Sequence, residues 1–118
     1  MRKLKVLLAI QPKMLSEVIR NMIARQPDME VVGELLEPTE FLVAVRTTPV
    51  DVIIVTPLDA EEEPRICRYL LTEHPQVKII TLSAKGDAAF LYELGVRKER
   101  IDQPSKPLIL GAIRESKN

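Results

Sequence analysis

The sequence predicts an α/β domain, a (βα)5 doubly wound five-stranded parallel sheet with helices on both faces. Three observations lead there. Short apolar runs of strand length alternate five times with segments whose apolar residues recur three and four apart. The links between them are short, as in compact α/β units. The runs are apolar almost without interruption, which suits strands covered on both faces rather than strands with one wet face.

Leu4 to Ile10 is the first such run. Pro12 opens a helix whose inward stripe is Leu15, Val18, Ile19, Met22 and Ile23, and it ends before Pro27. Met29 to Leu35 is the second strand, and Pro38 and Thr39 start a short helix carrying Phe41, Leu42 and Val45. Val50 to Thr56 is the third and most apolar strand, hence the central one. Asp59-Ala60-Glu61-Glu62-Glu63 leads into Pro64 and opens a third helix, because early acids complement the helix dipole and proline fits the first turn. Ile66, Cys67, Leu70 and Leu71 form its buried stripe, so Cys67 reads as core packing and the acids as a solvated helix start. Gln76 to Leu82 is the fourth strand. Ala88, Ala89, Leu91 and Leu94 mark a fourth helix closed by Gly95. Arg100-Ile101-Asp102 is a weak fifth strand, and Ser105 caps a last helix with Leu108, Ile109, Ala112 and Ile113. There is no linker, repeat or low-complexity tract, so residues 1–118 are expected to form a single domain with no effector domain attached.

Composition narrows the partners. Lysine plus arginine (17) equals aspartate plus glutamate (17), which leaves no net field to attract phosphate backbone or anionic lipid. Aromatic residues are 3% of the chain, too few for a base-stacking platform, so nucleic acid is not expected. No apolar stretch approaches the ~20 residues that span a bilayer, so no membrane partner is expected either. Cys67 is the only cysteine and the N-terminus carries no apolar leader, which favours a reducing, cytoplasmic setting.

In an open parallel sheet the functional crevice lies beyond the carboxyl ends of the strands. Here those ends carry little chemistry. The first strand passes into Ala9 and Ile10, and the third ends in Thr56 before Pro57. The only histidine, His74, falls at the opposite edge of the sheet, so no base stands beside Thr56 to activate its hydroxyl. A nucleophile–base pair, a metal set and a glycine-rich phosphate loop are all missing, which argues against an enzyme and against a cofactor.

Val31-Val32-Gly33-Glu34 after Pro27-Asp28, then Val52-Ile53-Ile54-Val55, then Val77 to Ala84, resemble the receiver domain of bacterial two-component response regulators, across essentially the whole chain. The resemblance implies a flavodoxin-like receiver fold. It also implies positions for a phosphorylation site. The phosphoacceptor aspartate falls on Thr56, the magnesium-binding acidic pair on Ala9 and Ile10, the hydroxyl after the fourth strand on Ser83, and the lysine before a proline on Gln103, with Lys106 before Pro107 as the alternative. Only Ser83 matches. Magnesium takes oxygen ligands, which alanine and isoleucine side chains lack, and nothing at these positions would offset charge on a transferring phosphoryl group. The expectation is a pseudo-receiver that is not phosphorylated and acts as a signalling adaptor or dimerisation module, its partner another protein or a second copy of itself. The resemblance places the contact surface on the fourth helix, fifth strand and last helix, with Tyr92, Arg100 and Leu108 as contacts. The alternative is a small-ligand sensor using the emptied crevice.

Overall fold

The computed structural model describes residues 3–10, 13–35, 40–56, 77–83, 88–93, 96–103 and 105–114. The third predicted helix, with Pro64 and Cys67, and His74 lie outside them. The described elements are β1 (Leu4–Ala9), α1 (Lys13–Ala24), β2 (Met29–Glu34), α2 (Phe41–Thr47), β3 (Val52–Val55), β4 (Lys78–Leu82), β5 (Ala88–Glu93), β6 (Val96–Asp102) and α3 (Lys106–Arg114).

They form a six-stranded sheet in the order β2-β1-β3-β4-β5-β6. The first four strands in that order are parallel, as the apolar runs predict. Every residue of β3 and of β4 is buried, so this part of the sheet is covered on both faces. Period-two alternation divides the apolar side chains between two cores. Val6, Leu8, Val52, Ile54, Ile80 and Leu82 pack against Ile19, Met22 and Ile23 of α1 and Ile109, Leu110 and Ile113 of α3. Leu7, Ala9, Ile53, Val55 and Ile79 point the other way, toward Ala44 and Val45 of α2. Gly33 stands opposite Leu7, where the β1–β2 register shifts, and a Cβ there would lie 3.1 Å from Leu7 Cδ1.

Beyond β4 the architecture departs from the expected one. Residues 88–93 are a strand, not a helix, and β5 pairs antiparallel with β4 and with β6. The predicted fifth strand at Arg100–Asp102 is the end of the seven-residue β6. The sheet is therefore mixed and has six strands rather than five. The physical reason is local. The helical spacing of Ala88, Ala89, Leu91 and Leu94 extends over only two turns, which propensity does not stabilise in isolation. The outer edge of β4 meanwhile offers a full row of backbone groups to pair. Leu82 pairs with Ala89 and Ile79 with Tyr92, so β4 folds directly into a hairpin.

At the amino ends of the strands, Asp51 ties three of them together. Its amide donates to the Lys5 carbonyl (2.9 Å), its carboxylate accepts from the Lys5 amide (2.9 Å), and its carbonyl accepts from the Lys78 amide (3.0 Å). Lys78 itself is buried at the start of β4. Its ammonium donates to the carbonyl oxygens of Ala112 (2.8 Å) and Ile113 (3.4 Å) in the last turn of α3. Those carbonyls lack intrahelical donors and carry the negative end of the helix dipole, so a buried cation is well placed there. Arg114 completes the anchorage through a two-pronged bond to Asp28 (2.8 and 3.0 Å) and a bond to the Gln26 side chain (2.7 Å).

Two predictions test this anchorage. Lys78→Met lowers unfolding free energy by about 1–3 kcal/mol, since the helix-end carbonyls lose a charged donor, and Lys78→Ala lowers it by about 2–5 kcal/mol because a cavity is added; urea denaturation of both variants measures the difference. The hydrogen bond from Arg114 holds the Asp28 carboxyl below its ordinary pKa. A depressed folded-state pKa contributes stability above the unfolded value and loses it as pH falls through the folded one. The stability difference between the wild type and Arg114→Gln is therefore full at neutral pH, begins to shrink near pH ~4, and its titratable part is gone once Asp28 is protonated in both states. Denaturant midpoints across the acid range follow it.

Candidate functional site

The carboxyl ends of β1, β3 and β4 meet at one edge of the sheet. Thr56 follows β3 and donates its amide to the Ala9 carbonyl (3.0 Å), so two of the residues singled out in the sequence are direct neighbours. Ala9 and Ile10 are buried, with Ala9 in the α2-side core and Ile10 in the α1–α3 core. Neither side chain can coordinate a cation, so the residues present do not fit a magnesium ion. Among the described residues no group of three His, Cys, Asp or Glu side chains converges on a common point.

Thr56 is only 5% exposed, and its hydroxyl has no hydrogen-bond partner among the described residues. The same holds for Thr81, a buried residue that faces the opposite side of the sheet, beside Val55. A buried hydroxyl without a partner costs about 1–3 kcal/mol. Thr81 drew no attention in the sequence, where a threonine inside a strand reads as ordinary β-propensity.

Ser83, the one position that matches the receiver pattern, has a local task. Its amide donates to the Ala88 carbonyl (2.9 Å), and its hydroxyl accepts from the Ala88 amide (3.2 Å). These two bonds close the loop between β4 and β5. The Ser83 hydroxyl is thereby engaged with the first residue of β5.

Gln103 is separated from the others. It follows β6, is exposed, and adopts a left-handed conformation (φ 49°) as the chain turns toward α3. In a five-stranded parallel sheet the residue after the last strand would sit two strand positions from β3. Here β5 is inserted, so Gln103 lies three positions away, about 14 Å instead of about 10 Å at the usual strand spacing. Lys106, the alternative counterpart, is the exposed first residue of α3, whose first turn closes on the Ser105 carbonyl (3.0 Å to the Ile109 amide). The structure thus brings Ala9, Ile10, Thr56 and Ser83 to the ends of adjacent strands, with Gln103 beyond the inserted β5 and Lys106 on α3.

The predicted contact residues also move. No helix is present at residues 88–93; Tyr92 lies on β5, paired with Arg97, and Arg100 lies on β6, paired with Phe90. Leu108 is on α3 and is 49% exposed. The sequence reading missed the outer side of α1, where Met14 is 77% and Val18 58% exposed. Val18 had been placed in the buried stripe. The available signal was the width of the stripe, since five apolar positions plus Met14 cover more of the helix than one core contact needs. No helix among the described residues is long and apolar enough to cross a membrane.

The sequence matches no protein-family model and no curated protein. Among solved structures, it is similar to the crystal structure of a response regulator from Thermotoga maritima, with a TM-score of 0.62 over 95% of this chain and 77% of that one, at 18% sequence identity. The likeness is one of fold, a receiver-like α/β arrangement.

Proposed function

We propose that this chain is a pseudo-receiver, a receiver-like domain that signals through protein–protein contacts without being phosphorylated. It serves as an adaptor or dimerisation module in the bacterial cytoplasm and binds rather than catalyses. The observation that carries this reading is the state of the crevice. The two positions for metal-binding acids hold buried Ala9 and Ile10, the acceptor position holds a buried threonine, and the Ser83 hydroxyl is engaged in closing a loop. Phosphoryl transfer depends almost wholly on positioning and on neutralising charge, and these side chains supply neither. Removing paired acids also removes their mutual repulsion, which favours one rigid state over a two-state switch.

The contact surface in this reading includes the β5–β6 hairpin, with Tyr92 and Arg100, and Leu108 of α3. A second reading, a small-ligand sensor in the crevice, draws support from the unpartnered Thr56 hydroxyl, a polar group that a ligand could satisfy.

Incubation with acetyl phosphate, or with beryllofluoride and magnesium, separates the adaptor reading from phosphorylation. The expected outcome is no covalent labelling by intact-mass measurement and no saturable change in amide spectra; either signal would refute a non-phosphorylated domain. Thr56→Val addresses the second reading. Removing an unpaired buried hydroxyl while keeping its shape is expected to raise stability by about 1 kcal/mol, measured by urea denaturation. A loss of similar size would show that the hydroxyl already has a partner, and the sensor reading would lose its support.

A further inference from the structure

We infer that the groove between α1 and α3 is a docking site for an amphipathic helix of a partner protein, one that carries acidic residues beside an apolar stripe. The inference rests on the adaptor reading, for which it names the class of partner. The groove has a volume of about 380 Å³, with Leu15, Ile19, Leu82 and Ile109 in its floor. Val18, Arg25 and Lys106 stand at its margins. Met14 and Val18 follow one another at helical spacing along α1, so the apolar wall at Val18 continues outward from the floor into exposed surface. Exposed apolar side chains contiguous with a half-open groove offer more surface than a small molecule covers, and a helix laid into the groove covers it.

Charge decides between occupants. Arg20 is paired with Glu34 (3.3 Å) and Arg114 with Asp28 (2.8 Å), both away from the groove. Arg25 and Lys106, which line it, have no ion-pair partner among the described residues. Among the described residues the groove lining contains no acid. Lys106 begins α3 and Arg25 follows the end of α1, so the two cations stand toward opposite ends of the groove. A second copy offering the same surface would bring like charges together. A helix with glutamates on either side of a leucine stripe would pair with both cations while burying its stripe on the floor.

The probe is a synthetic helix with a leucine stripe flanked by glutamates, compared with a version carrying lysines at the same positions. Binding is followed by fluorescence anisotropy and by amide shifts of the full chain. The glutamate peptide is expected to saturate, with shifts confined to α1 and α3, and to bind at least about tenfold more tightly than the lysine peptide. Arg25→Glu with Lys106→Glu should invert that preference. Both residues are exposed, so the fold should survive. Val18→Ser, which leaves the charge unchanged, should weaken both peptides by about fivefold. Equal affinity for the two peptides, no saturable binding, or shifts centred on the β5–β6 hairpin would each overturn the inference. Concentration-dependent shifts in the groove without any peptide would overturn it in favour of a second copy. None of these results bears on phosphorylation, so covalent labelling by acetyl phosphate would sink the adaptor reading separately.

Discussion

Strand β4 is the constraint on which the rest of the sheet depends. All five of its residues are buried, so neither water nor a surface loop is available to its outer backbone groups. On the β3 side the pairing is parallel and runs from Lys78 to Thr81. The other side has to be paired as well, and the chain meets that demand at once by turning back on itself through Ser83 and Ala88. The antiparallel hairpin, the sixth strand and the displacement of Gln103 all follow from this turn. The strand ends at β1, β3 and β4 and the altered topology are linked through one residue, since Ser83 belongs to both.

Lys78 shows how a polar group can be tolerated in such a strand. An unpaired ammonium in this position would be prohibitively costly, and burying it is justified only because α3 presents carbonyls that need a donor. The same contact fixes how α3 lies on the sheet. It places the helix beside α1 and so determines the walls of the groove between them. The anchorage at the amino ends of the strands and the open surface toward their carboxyl ends are two aspects of one helix position.

Much of the fold was legible in the sequence. The four parallel strands and α1, α2 and α3 follow from uninterrupted apolar runs, helical spacing and proline or serine punctuation, because burial on both faces leaves a strong and simple pattern. The segment 88–94 was not legible by the same means. Ala88, Ala89, Leu91 and Leu94 satisfy a helical period, while Phe90 and Tyr92 satisfy a strand period, and a seven-residue window cannot choose between them. The deciding information was the free edge of β4, a tertiary fact, although Lys85-Gly86-Asp87 between two apolar runs was a hairpin signal in the sequence. At the site, the absence of acids at Ala9, Ile10 and Thr56 was legible from residue types alone. The engagement of Ser83, the distance to Gln103 and the exposure of Val18 were not, because each depends on which strand neighbours which.

The hairpin also alters how the chain can be assembled. A fifth parallel strand would have to return to β4 over a crossover helix, closing a long loop before any pairing compensated the lost chain entropy. In this chain Leu82 meets Ala89 and Glu93 meets Val96 across short separations, so the outer third of the sheet is built from local contacts. A two-stranded hairpin has little stability alone in water, so β5 and β6 gain theirs from the edge of β4. The four parallel strands carry the slow, long-range part of folding, and the outer hairpin can zip onto them afterwards.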